Sequence, residues 1–224
     1  MIHMANDDIA SEPLRIGVIL FPGFQALDAF GPLDCINVLS QTEHLTLSLL
    51  SSTLDPVTTT SPAMPAAVGQ SVVPTHTFSN APPLDVLLIP GGQGTRSADT
   101  PVQEAVTYIR GSYPRLQYLI TVCTGSRLAA RAGVLDGKRA TTNKMHFRED
   151  AGRAPGVNWI PRARWVTDGN VWTASGVSAG IDVTLAWVEE VYGKEKATQI
   201  ADELEYERHE DLSYDPFAAR YGLC

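Results

Sequence analysis

Residues 118–126 read Tyr118-Leu119-Ile120-Thr121-Val122-Cys123-Thr124-Gly125-Ser126, a short apolar run that meets a cysteine and passes at once into small residues. A run of this length and branching reads as a strand buried on both faces. The small residues after it open a helix that Gly133 stops. Two similar runs lie upstream. Residues 15–21 (Arg-Ile-Gly-Val-Ile-Leu-Phe) stop at Pro22-Gly23, and residues 85–89 (Asp-Val-Leu-Leu-Ile) stop at Pro90-Gly91-Gly92. Each is a candidate central strand followed by a Gly-bearing loop.

Helical spacing fills the gaps. Gly31-Pro32 opens a segment with Leu33, Ile36 and Leu39 on one stripe, and residues 45–50 form a second strand. Thr100 is expected as N-cap, with Pro101 at the first helical position and Gln103 completing a capping box ahead of Val102, Ala105, Val106 and Ile109. Asp168-Gly169 between two apolar runs predicts a hairpin. Ser178 is expected to cap a helix with Ile181, Leu185, Val188 and Tyr192 inward and Gly193 at its end, and a last helix is expected over 195–208. Residues 53–83, rich in Thr, Ser, Pro and Ala, read as edge strands and loops. Strands alternating with helices predict an α/β fold with a mostly parallel sheet flanked by helices. The expected organisation is a 1–13 N-terminus that is disordered or left over from expression, then one domain over 14–224.

The 224 residues carry 17 Lys and Arg against 25 Asp and Glu, a net charge of −8. That balance, without a Lys/Arg run, argues against nucleic-acid binding. Apolar stretches are too short to span a bilayer, and the N-terminus lacks a signal-peptide core, so a cytoplasmic protein is expected. Cys35, Cys123 and Cys224 form neither a Cys-x-x-Cys nor an even set, and the five histidines are scattered. Neither a disulfide framework nor a metal site is expected.

In open α/β sheets, sites gather at the carboxyl ends of strands, where three loops fall here: residues 21–28, 91–94 and 123–126. Cys123 at a strand-to-helix turn meets a helix N-terminus, which favours a thiolate, so a substantial thiolate fraction near neutral pH is expected. The alternative is a buried core cysteine. Cys35 reads as core and Cys224 as a mobile terminus. Asp28, among Ala26, Leu27, Ala29 and Phe30, is either a carboxyl raised by desolvation that exchanges protons with the thiol, or a helix N-cap. Gly91-Gly92 makes a tight turn or aims an amide at developing negative charge. Asp182 is expected to support the start of its helix, and the four tryptophans to serve packing.

At these residues the sequence resembles the ThiJ/PfpI superfamily, relatives of the class I glutamine amidotransferase domain, and most closely its isocyanide hydratase branch. The resemblance rests on ILFPGFQALDAFGPLD, LDVLLIPGGQGT, YLITVCTGSRLAARAGVLDGKRATTNK and DGNVWTASGVSAGID, in family order from Ile16 past Asp182. It implies a flavodoxin-like sandwich, a homodimer without metal or organic cofactor, and a small-molecule substrate. It also implies Cys123 as nucleophile, Asp28 as partner acid, and Gly92 and Thr124 as oxyanion and substrate contacts. Many superfamily members carry Glu at the acid position, whereas the hydratase branch is similar to this chain in having Asp. Hydratase relatives read Thr-Thr-His-Trp where this chain has Thr141-Thr142-Asn143-Lys144, which excludes a Cys–His dyad through Asn143, and His146 is a poor substitute.

The function expected from the resemblance is hydration of an isocyanide to an N-formamide. The competing expectations are a glyoxalase-type reaction on 2-oxoaldehydes, against which Asp28 and Asn143 weigh, and a cysteine redox sensor or small-molecule-binding regulator. Related domains fused to helix-turn-helix modules act as regulators, and the absence of a second domain here is expected to disfavour that role.

Overall fold

Alternation of buried apolar runs with amphipathic ones produces the element order in a computed structural model, which describes residues 14–64 and 66–223. The 1–13 stretch and Cys224 lie outside the described residues. The chain runs β1 (Leu14–Ile19), α1 (Ala26–Leu39), β2 (Leu45–Ser51), then the short strands β3 (Val57–Thr58), β4 (Ser71–Val72) and β5 (His76–Thr77). It continues through β6 (Val86–Ile89), α2 (Thr100–Ser112), β7 (Tyr118–Thr121), α3 (Gly125–Arg131), β8 (Arg139–Ala140), α4 (Phe147–Arg153) and β9 (Asn158–Trp159). The last elements are β10 (Trp165–Asp168), β11 (Val171–Ala174), α5 (Ala179–Tyr192), α6 (Lys194–Glu203) and α7 (Pro216–Arg220).

A seven-stranded sheet in the order β10-β11-β7-β6-β1-β2-β5 forms the centre. Every pairing is parallel except the β10–β11 hairpin. The β6 run is buried at all four residues, and β1 at its last four. Such strands must be covered on both faces, and helices do so. α1, α5 and α6 pack on one another, and α2 packs on α3. Chain order reverses between β1 and β6: α1 carries the chain from β1 to β2 on one side, while β6 and β7 lie on the other. Loops leaving neighbouring strands in opposite directions open a crevice at that point. The carboxyl ends of β7, β6 and β1, three adjacent strands, therefore surround one crevice. Among the described residues, no helix is long and apolar enough to cross a membrane.

Several local expectations are corrected. α1 starts at Ala26, ahead of Gly31-Pro32, because Gln25 takes the extended N-cap conformation; Pro32 sits inside the helix. Asp99, not Thr100, holds the N-cap position of α2, and its carbonyl accepts the Val102 and Gln103 amides at 3.1 Å each. The capping box is therefore not formed, and Gln103 reaches Ala98 O instead at 3.5 Å. Ser178 stands at the N-cap position of α5 without a side-chain cap bond. The last long helix ends at Glu203, because Glu205 turns to φ 48° and the Tyr206 amide folds back on Ala201 O. Asp182 lies in the first turn of α5, but its carboxylate serves tertiary contacts. It accepts the Arg164 guanidinium at 2.6 Å, the Tyr206 hydroxyl at 3.2 Å and the His209 amide at 2.9 Å.

Candidate active site

Cys123 follows β7 in the left-handed region, at φ 57°. Such backbone is costly for a non-Gly residue and persists only where its surroundings enforce it. Here the Cys123 amide donates to Ala174 O of neighbouring β11 at 3.2 Å. Its carbonyl accepts the Ser126 hydroxyl at 3.1 Å and the Thr142 hydroxyl at 3.2 Å. The Thr142 hydroxyl also lies 2.7 Å from Asp150, which pairs with Arg127 in α3, so a buried ion pair braces the turn. Strain held by packing fixes the direction of the sulfur.

Three donors converge on that sulfur: the backbone amides of Thr124 and Val177 and the side-chain amide of Asn143. Opposite them stands Asp28, fully buried in the first turn of α1. Its Oδ2 accepts the Gly91 amide at 3.0 Å, while Oδ1 has no nitrogen or oxygen partner and the Cys123 thiol interacts with the carboxyl. Asp28 is therefore not the N-cap; Gln25 holds that position.

Burial, opposed by the Gly91 and Cys123 hydrogen bonds, lifts the Asp28 carboxyl from 3.8 to about 7. Burial first, and the Asp28 charge second, push the Cys123 thiol up to about 12 against the pull of its three donors. The expected lowering of the thiol by a helix N-terminus does not prevail, because burial and a facing carboxylate outweigh it. Two anions cannot coexist in so dry a space. Above about pH 7 the pair holds one proton, which belongs to the pair rather than to either group.

The glycines explain how closely the loops approach. A Cβ on Gly91 would lie 2.6 Å from the Thr124 amide nitrogen and 2.9 Å from Asp28 Oδ2. Gly92 adopts φ 129°, and a Cβ there would lie 2.4 Å from Gly23 O. In this structure the Gly92 amide donates to Thr124 Oγ1 at 3.0 Å, and Thr95 Oγ1 donates to the same oxygen at 3.1 Å. The expected Gly92 oxyanion donor is thus occupied. The donors aimed at the sulfur come from Thr124, Val177 and Asn143.

A cavity of about 440 Å³ opens over Cys123 and is lined also by Gly92, Thr124, Asn143 and Val177. Its outer wall comes from the C-terminal segment, through Phe217 and Tyr221. Asp215 anchors that wall: it caps α7 at Phe217 N (3.0 Å), accepts Ala163 N (3.3 Å) and pairs with buried Lys144 at 3.3 Å. His146 lines the cavity as well, its imidazole lowered by burial and by neighbouring Arg96. Cys35 is buried in the core with its thiol raised to about 12, mainly by burial. Among the described residues no group of three or more His, Cys, Asp or Glu is placed to hold a metal ion.

Sequence reasoning brought Cys123, Asp28, Gly92 and Thr124 to one site, and the structure places them together. It missed the thiol contacts of Asn143 and Val177. A signal for Val177 existed: β11 ends at Ala174 beside β7, so residues 175–178 are a fourth loop at the same edge of the sheet.

Comparison with known proteins gives concordant results. A profile described as the DJ-1/PfpI family matches residues 14–190. The chain is 36% identical to an isonitrile hydratase of Pseudomonas putida over 194 residues, 86% of this chain and 78% of that protein. It is 30% identical to the HTH-type transcriptional regulator GbdR of Pseudomonas aeruginosa, covering 88% of this chain but 52% of the regulator. A crystal structure of a THiJ/PfpI family protein from Pseudomonas syringae superposes with a TM-score of 0.75 at 29% identity, over 100% of this chain and 90% of that one.

Proposed function

The chain belongs to the DJ-1/PfpI family, and from that premise we propose that it is a cysteine-dependent enzyme hydrating an isocyanide to an N-formamide. The observation that carries the reading is the buried Asp28–Cys123 pair, with Asp28 Oδ1 free of other nitrogen and oxygen partners and three donors around the sulfur. The likeness to isonitrile hydratase supports the choice of substrate.

Isocyanides, R–N≡C, react at their terminal carbon. The Cys123 sulfur forms a bond to that carbon while its proton passes through Asp28 to the same carbon, giving the thioimidate R–N=CH–S. Asp28 is again a carboxylate and takes a proton from water as the oxygen adds. The nitrogen receives that proton, leaving R–NH–CH(OH)–S. Collapse breaks the C–S bond, the hydroxyl proton returns through Asp28 to the sulfur, and R–NH–CHO departs. One water is consumed and no oxidant is needed. A pair holding one shared proton suits this exchange, since the same group acts as acid and base. The amides of Thr124 and Val177 and the Asn143 side chain stabilise charge on the sulfur as it leaves.

A second reading, a domain that binds a small molecule without turning it over, draws on the likeness to the regulator. Intact-mass analysis separates the two. Rapid mixing with p-nitrophenyl isocyanide is expected to give a transient species heavier by the whole substrate, mapped to Cys123 and absent in Cys123→Ser. Formamide release without any adduct in a quenched-flow series would overturn covalent catalysis.

A further inference from the structure

The cavity over Cys123 has a one-sided lining. Arg96, Lys144 and Arg164 contribute to it, and among its described lining residues there is no Asp or Glu. This happens in a chain of net charge −8, so the local sign is not a by-product of composition. Two of the cations are matched from behind: Lys144 pairs with Asp215 at 3.3 Å, and Arg164 with Asp182 at 2.6 Å, both acids being buried.

Arg96 is different. Its Nη1 donates to Gln93 Oε1 at 2.9 Å, its Nε stands 3.7 Å from Glu149 Oε2, and its Nη2 is buried with no hydrogen-bond partner. Glu149 is itself divided, lying 3.0 Å from Arg127 and 3.2 Å from Arg153. One carboxylate thus serves three guanidinium groups. Nη2 itself is closed to solvent. What Arg96 offers the cavity is the rest of a side chain that is 27% exposed and held by Gln93 and a shared carboxylate 3.7 Å away. A carboxylate is the partner such a guanidinium favours. Neighbouring His146 is held below its ordinary pKa by burial and by the Arg96 charge.

We propose that the cavity selects substrates carrying a carboxylate, with Arg96 receiving that group while the reactive end meets Cys123. The proposal rests on the hydratase reading only for the identity of the reactive end, an isocyanide. Arg96 is then a specificity-determining residue, and the substrate class is an isocyano carboxylate.

The test compares isocyanoacetate and 4-isocyanobenzoate, two spans between the groups, each with its neutral ethyl ester. The wild-type chain is expected to show kcat/KM about tenfold or more higher for the acid in at least one pair, as suits a charge-assisted contact. Arg96→Gln should erase that ratio, and Arg96→Lys should restore part of it. Equal or better turnover of the ester in both pairs overturns the proposal and leaves the hydratase reading standing. A preference that survives in Arg96→Gln overturns the role of Arg96. If no isocyanide is turned over, the hydratase reading fails instead. Calorimetric binding of the same pairs to the Cys123→Ser chain then decides: tighter binding of the acid supports an anion-selective cavity, and equal binding overturns it.

Discussion

Replacing Asp28 by Asn separates catalysis from stability, because the two respond in opposite directions. The side chain is fully buried, and its carboxyl is lifted from 3.8 to about 7. Between those values the folded chain keeps a proton that the unfolded chain has released. Stability therefore falls as pH rises through this window and stays at its lower value above it. At ~1.36 kcal/mol per pH unit, the lift corresponds to roughly 4 kcal/mol by pH 8. Asn is neutral at every pH and can still accept the Gly91 amide, so Asp28→Asn removes that penalty. Urea melts from pH 4 to pH 8 should show the variant near wild-type stability at the acid end and increasingly more stable toward pH 8. Turnover moves the other way, since the amide cannot carry the thiol proton: a loss of about 10²–10⁴-fold or more is expected. A variant that hydrates isocyanide at near wild-type rate refutes the proton-transfer role. A stability difference that is flat from pH 4 to pH 8 refutes the buried-carboxyl argument.

Other outcomes follow from the same geometry. Asn143→Leu removes one of three donors to the sulfur, and kcat/KM should fall about tenfold, the scale of one lost hydrogen bond; a wild-type value would show that the contact is idle. Gly91→Ala places a methyl against Thr124 and Asp28, so the melt should show about 1–3 kcal/mol of lost stability together with lost turnover. Asp182→Ala leaves the buried Arg164 charge without its carboxylate and should cost about 3–5 kcal/mol in urea unfolding; a loss below 1 kcal/mol would contradict the buried-pair account. The homodimer expected from the family resemblance is tested by light scattering at micromolar concentration, where a monomer would refute it.

Much of this architecture is written in local patterns. The three apolar runs ending in Pro-Gly, Pro-Gly-Gly and Cys-Thr-Gly became β1, β6 and β7, since short buried strands need little beyond continuous apolar residues and a breaker. Asp28, Gly92, Cys123 and Thr124 meet because those strands are neighbours, and the order of turns along the chain carries that information. Element ends were less legible. Nothing local announces that α1 starts at Ala26, behind Gln25 as N-cap, rather than at Gly31, or that Asp99 rather than Thr100 takes the N-cap of α2, because one extended residue decides each start. Charged partners far apart in sequence were hidden. Asp182 looked like a helix-end acid until folding brought Arg164, Tyr206 and His209 to it, and Asp215 gave no sign of reaching Lys144. Asn143 was visible as a departure from relatives, but its contact with the sulfur depends on a loop 20 residues beyond Cys123 folding back across β11. Within the pair, the raised Asp28 carboxyl was legible from its apolar neighbours, whereas the raised Cys123 thiol was not: a helix N-terminus can be read from sequence, but the depth of burial and the facing carboxylate that outweigh it cannot.

The central claim is that Cys123 and Asp28 together hydrate an isocyanide, and a substrate panel tests it most directly. Purified protein is mixed in parallel with p-nitrophenyl isocyanide and with methylglyoxal, and products are followed by nuclear magnetic resonance with Cys123→Ser as control. The account predicts N-formamide from the isocyanide, none above background from the serine variant, and no lactate from methylglyoxal. Lactate formation with the isocyanide left intact, or equal formamide yields from wild type and Cys123→Ser, would contradict it.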